Sequence, residues 1–195
     1  MTVARARPIN GNRMVQRACI LALAAFMTIS LGLEIDHTGP RTFLFFTVLS
    51  NTLALAVVTA YAFPNSGALR HLRRVGFATA VAVYMLVVGL GFGIFIRKIA
   101  SPADVPLHYV LPPAYLVFWL LCVPKGRLRW SDPLLWLIFP LAYAAWALTI
   151  GVNFYSSLLR VQTLPVLAVF FVGLGLGFVA VDHLCSRRTT VSTAN

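Results

Sequence analysis

The chain has 195 residues, 59% of them hydrophobic and only 11% charged, with a mean hydropathy of +0.85. A soluble domain averages about 45–50% apolar and about 25% charged residues, so the composition excludes an ordinary soluble domain and indicates an all-α, polytopic integral membrane protein. The formal net charge of +11 does not point to nucleic acid, because the basic residues gather in alternate loops, the pattern that orients a membrane protein.

Residues 1–16 form a basic segment with Arg5, Arg7 and Arg13 and no acid. After Arg17 an apolar run continues to Leu33. Ala22-Leu23-Ala24 mimics a cleavage site, but the apolar stretch before it is too short for a signal-peptide core of about 7–15 residues. An uncleaved first helix is expected. A bilayer span takes about 20 residues, and further runs of that order cover Thr42–Phe63, Val75–Ile96, Leu107–Val123, Pro133–Val152 and Thr163–Leu184. Six transmembrane helices are therefore expected within 17–184, followed by a short tail, 185–195.

The basic residues set the orientation. Arg70, Arg73 and Arg74 fall in the second loop, Lys125, Arg127 and Arg129 in the fourth, and Arg187 and Arg188 in the tail, on the same side as the N-terminal arginines. Only Arg41, Arg97, Lys98 and Arg160 fall opposite. Both termini are expected in the cytoplasm of a multi-pass cell-membrane protein. Cys19, Cys122 and Cys185 form no CxxC or metal spacing, and His37 and His71 fall on opposite sides, so no metal or cofactor is expected. The runs Val88-Gly89-Leu90-Gly91-Phe92-Gly93 and Val172-Gly173-Leu174-Gly175-Leu176-Gly177 each put two glycines four apart on one helix face. That spacing permits close backbone approach, and the likeness hints at two three-helix halves.

Chemistry-bearing residues are few. In the second run, Thr47, Ser50 and Asn51 share one helix face at about 100° per residue. Polar groups in hydrocarbon need partners, so this face must look inward. The packing alternative has Thr47 bonding back to the Phe43 carbonyl and Asn51 bridging to a neighbour. His108 opens the fourth run, and Pro112 and Pro113 leave the carbonyls of His108 and Tyr109 without helical donors, which predicts a kink. By topology Thr47 and His108 lie at matched depth near the outer face, where hydroxyl and imidazole suit a nucleophile and base. Asn51, with Ser50 as polar support, is expected to serve a developing oxyanion. Glu34, Asp36 or Asp104 is expected to orient the imidazole. Arg41, Arg97, Lys98 and Arg160 offer contacts to a carboxylate or to lipid headgroups.

The order Phe46-Thr47-x-x-Ser50-Asn51, His108-Tyr109-x-x-Pro112, Trp119, Pro124-Lys125-Gly126 and Trp136-x-x-x-Pro140-x-x-Tyr143 resembles the bacterial Pr6Pr family of six-helix membrane proteins. The resemblance runs from about Arg17 to Leu184. That family is distantly similar to the androgen-induced membrane hydrolases, which cleave fatty acid esters of hydroxy fatty acids with an intramembrane threonine and histidine. The resemblance implies Thr47 and His108 in those roles and an acyl-ester substrate drawn from the membrane. One position departs: members carry an acid before the tryptophan of the fourth helix, where Phe118 stands here. The expected activity is an intramembrane lipid-ester hydrolase; the alternatives are a small transporter or a lipid-binding or accessory protein. No Asp, Glu, Lys or Arg sits near the middle of an expected span, where ion-coupled transporters often keep one.

Overall fold

The computed structural model describes residues 11–96, 99, 101–150 and 163–192. Every regular element among them is helical: α1 (Gly11–Thr38), α2 (Phe46–Ala62), α3 (Val75–Gly91), α4 (Leu111–Cys122), α5 (Asp132–Trp136), α6 (Ile138–Thr149) and α7 (Leu164–Ser192). A 3-10 segment, Gly39–Leu44, joins α1 to α2, and π-helical turns Phe92–Ile96 and Pro106–Val110 end α3 and lead into α4. Four stretches, Arg13–Leu44, Val75–Ile94, Asp132–Thr149 and Leu164–Ser186, are long and apolar enough to cross a membrane. Phe46–Ala62 and Pro106–Cys122 are apolar but shorter.

Apolar sequence drives these helices, and backbone approach packs them. The tightest neighbours are α1 with α2, α2 with α3 and α3 with α4, while α7 leans on α3 and α5. Alanines 54, 60, 62, 78, 80 and 82 are buried at these contacts; small side chains let helix axes come close where lipid supplies no hydrophobic drive. Met27, Val57, Val58, Val81, Met85, Leu111 and Tyr115 fill the centre. Most polar side chains inside find partners. The hydroxyls of Thr28, Ser30, Thr52 and Thr79 each donate to the carbonyl four residues back at 2.8–2.9 Å. The Trp119 indole N–H donates to Thr79 Oγ1 at 2.8 Å and the Tyr115 hydroxyl to the Ala78 carbonyl at 3.1 Å, tying α4 to α3.

Proline dictates the break between α5 and α6. Pro140 has no N–H for the carbonyl four residues back, that of Trp136. The Tyr84 hydroxyl on α3 donates to this freed carbonyl at 2.7 Å. The continuous fifth helix expected from sequence is therefore two helices. Pro112 and Pro113 act similarly: instead of a simple kink, the chain makes a π turn over Pro106–Val110, with the Leu111 N–H donating to the Pro106 carbonyl.

Other expectations need correction. Residues Glu34–Arg41 are not a loop: α1 runs through Thr38 and passes directly into the 3-10 segment. The second helix begins at Phe46, not Thr42, because Phe45 is extended at φ −91 and ψ 132. Helix also crosses the expected boundaries of the N-terminal segment and tail, since α1 starts at Gly11 and α7 reaches Ser192. The two glycine runs are used differently. A Cβ on Gly89 would stand 3.2 Å from Pro112 Cβ, whereas in α7 it is Gly175 that abuts a neighbour, Pro133, at 2.8 Å. A Cβ on Gly93, Gly173 or Gly177 would meet nothing within 4 Å, so shared packing does not explain the likeness.

The loop after α4 is fastened to α7. Lys125 caps the end of α4 by donating to the Trp119 and Val123 carbonyls, its ammonium 3.9 Å from the Trp119 ring centre. Partial burial lowers the Lys125 pKa below its ordinary value, against an opposing pull from Asp182. The fully buried Asp182 accepts the N–H groups of Arg127 at 3.0 Å and Leu128 at 3.1 Å. Asp182→Ala should cost about 2–4 kcal/mol, since each buried donor left unpaired costs about 1–3. Asp182→Asn, which keeps an acceptor oxygen, should cost less. Thermal unfolding in detergent checks both, and equal stability of wild type and the alanine variant would remove the fastening.

Candidate active site

The polar face of α2 meets the π turn Pro106–Val110 at the end of the bundle where α2 begins and α3 ends. Thr47 is the second residue of α2. A threonine inside a helix ordinarily donates to the carbonyl four residues back, as Thr28, Thr52 and Thr79 do. For Thr47 that residue is Phe43, on the far side of the extended Phe45. The hydroxyl turns instead to His108, with Thr47 Oγ1 and His108 Nε2 3.1 Å apart. Both residues are 8% exposed. On the other side of the ring, His108 Nδ1 lies 3.0 Å from the Asp104 carbonyl oxygen and 3.7 Å from Asp104 Oδ1. A carbonyl only accepts, so Nδ1 carries the proton and the Nε2 lone pair faces the hydroxyl, which donates. The Phe92 ring stacks on the imidazole, with centroids 3.9 Å apart and planes at 23°, and holds it flat.

The remaining expected site residues are distributed differently. Asn51 Nδ2 donates to the Thr47 carbonyl at 2.9 Å and to the Leu107 carbonyl at 3.4 Å. Its amide is committed to backbone and does not stand ready for an oxyanion. Asn51 clamps α2 to the π turn, which is the bridging half of the packing alternative. Ser50 is fully buried, and its hydroxyl has no hydrogen-bond partner among the described residues. Arg41 is exposed and does not line the cavity described below. Arg97, Lys98 and Arg160 lie outside the described residues. Phe118 packs edge-on against Tyr61 with centroids 5.3 Å apart. It lies about 15 Å along the helix from His108 at about 1.5 Å per residue, so the departure from the family pattern does not touch the pair.

Sequence reasoning missed two features. Thr47 sits in the first turn of its helix, where backbone N–H groups lack intrahelical acceptors and the helix dipole is positive. Glu34, one of the three acids expected to orient the imidazole, lies inside α1 and is only 7% exposed. Hydroxyls of Thr38, Thr42 and Ser101 satisfy it. The spacing from Asp104 to His108, one helical turn, was the available signal for the imidazole's partner.

Thr47 and His108 open onto a cavity of about 150 Å³ between α2, α3, α6 and α7. Val87, Val88, Gly91, Leu137, Pro140, Leu141, Ala144, Leu164, Leu167, Ala168 and Phe171 make its walls apolar. Tyr143 also lines it, but its hydroxyl donates to the Leu44 carbonyl at 2.8 Å. Tyr143 is thus a buried wall residue. Phe46 anchors that wall through ring contacts with Tyr143, Phe139 and Phe171. Among the described residues no cluster of three or more His, Cys, Asp or Glu could hold a metal. The arrangement can activate one hydroxyl beside a greasy chamber. In the comparisons with known proteins, no family model, no curated protein and no solved structure matches this chain.

Proposed function

We propose that this protein is an intramembrane lipid-ester hydrolase with a threonine nucleophile and a histidine base. The observation that carries the reading is the 3.1 Å pairing of the Thr47 hydroxyl with an imidazole at the wall of an apolar cavity. The sequence resemblance to the Pr6Pr family and to the androgen-induced hydrolases points the same way. In this reading Thr47 Oγ1 attacks the ester carbonyl carbon as its proton passes to His108 Nε2. The oxyanion forms near the first-turn N–H groups of α2, which take the role first expected of Asn51. The ester C–O bond breaks and the leaving alkoxide takes the proton from His108. Water, deprotonated by the same nitrogen, then attacks the acyl-threonine, releasing the fatty acid and returning the proton to Thr47. The ester comes from the bilayer, with its acyl chain in the cavity.

The full architecture belongs to the same proposal. All six apolar segments cross the membrane, both termini are cytoplasmic, and the pair lies beneath the outer face. Helix α2 is about 25 Å long at about 1.5 Å per residue, short of the roughly 30 Å hydrocarbon core, and the 3-10 segment before it makes up the remainder. In a cysteine-free background, Arg41→Cys and Arg70→Cys should react with impermeant maleimide from opposite sides. Modification of both from one side overturns this topology.

The activity is tested by reacting the purified protein with a long-chain fluorophosphonate. The expected result is stoichiometric labelling, slowed by uncharged long-chain esters and not by short water-soluble ones. A lipid-binding protein without catalysis would need the cavity but not the pair, and absence of labelling would favour it.

A further inference from the structure

We propose that Glu34 is a positioning residue for the Thr47–His108 pair, acting from α1 through Ser101 and Asp104. The inference rests on the hydrolase reading above. Glu34 is the chain's one glutamate and is buried. Thr38 Oγ1 donates to its Oε1 at 2.8 Å, Thr42 Oγ1 to the same oxygen at 3.4 Å, and Ser101 Oγ to Oε2 at 2.9 Å. Three hydroxyls thus gather on one carboxyl group. Among the described residues no Lys or Arg pairs with it. A buried carboxylate held only by neutral donors is costly, and a packing role alone would be met more cheaply by an apolar side chain.

What the carboxylate holds leads to the site. With its oxygen fixed on Glu34, Ser101 accepts the Ala103 N–H at 3.1 Å, and the Ser101 N–H donates to Asp104 Oδ2 at 2.8 Å. This turn aims the Asp104 carbonyl at His108 Nδ1. A continuous chain of hydrogen bonds thus runs from α1 to the nucleophile. It fixes the tautomer that leaves Nε2 as the base, and it brings a second negative charge toward the imidazolium that forms when Thr47 gives up its proton. The groups around the ring are Asp104 on its own segment, Glu34 from α1, Phe92 from α3, Thr47 from α2 and Tyr143 across the cavity. Among the described residues, Asp104 and Glu34 are the charged groups that act on it.

The test measures fluorophosphonate labelling rate against pH, with unfolding temperature as control, for full-length wild type, Glu34→Gln and Asp36→Asn. Asp36, which the sequence offered as an alternative orienting acid, is instead exposed on the same helix, and its variant should match wild type. Glu34→Gln should fold normally, lower the plateau rate about tenfold, the equivalent of about 1.4 kcal/mol in the barrier, and move the rise with pH toward acid. Wild-type rate and midpoint in Glu34→Gln overturn the proposal. Failure of wild type itself to label overturns the hydrolase reading beneath it. Should Glu34→Gln not fold, Ser101→Ala cuts the same link from the other end. It is expected to slow labelling about five- to tenfold, and a wild-type rate there overturns the proposal.

Discussion

Replacing Thr47 with valine should abolish fluorophosphonate labelling and leave the fold intact. Valine keeps the branched shape that fills this buried position and removes only the hydroxyl. That hydroxyl makes one side-chain contact, to His108, so the expected loss of stability is near 1 kcal/mol, the net worth of a typical hydrogen bond. The rate should fall at least about 10³-fold, because no other group can form the covalent intermediate. Thr47→Ser should retain activity but lose roughly three- to tenfold, since the lost methyl frees χ1 and the oxygen spends less time facing the imidazole. Labelling time courses with unfolding temperatures in the same detergent check all three proteins. A valine variant that labels at the wild-type rate would exclude Thr47.

His108→Gln should lower the labelling rate by about 10²–10⁴-fold, the usual contribution of general acid–base catalysis, without eliminating it. Glutamine can still accept from Thr47 but cannot take its proton at neutral pH. The pH profile separates loss of the base from general damage. Wild-type labelling should rise with pH as the imidazole gives up its proton, then level off. In the variant that limb should vanish, leaving only the slow rise of a simple hydroxyl. Persistence of the same limb in His108→Gln would assign the titration to another group and remove His108 as the base.

The outline of this site was legible because topology alone sets the ends of helices side by side. Thr47 and His108 were both near the start of runs expected to travel the same way, and their meeting required only that the two helices touch. Asn51 was misread because an amide's donors go to whichever carbonyl is nearest. The Leu107 carbonyl became available only through a π turn that no periodicity announces. Glu34 was placed in a loop because Thr38-Gly39-Pro40 reads as punctuation. The structure passes directly from α to 3-10 helix at that Gly-Pro pair, with Gly39 at φ 69. Asp104 could not be singled out from Glu34 and Asp36 because Pro106 disfavours helix at the residue before it; Val105 is nevertheless helical at φ −63 and ψ −55. Prolines were visible at 112, 113 and 140, but the remote partner that makes the last break tolerable, Tyr84, was not. Composition gave the helices, and long-range hydrogen bonds decided their ends.

The most direct measurement is the site of covalent attachment. Wild-type protein reacted with the fluorophosphonate, digested and analysed by tandem mass spectrometry should carry a single phosphonyl group on the Phe46–Asn51 stretch, at Thr47. A group on Ser50, Ser101 or any other hydroxyl, with Thr47 unmodified, would contradict the account.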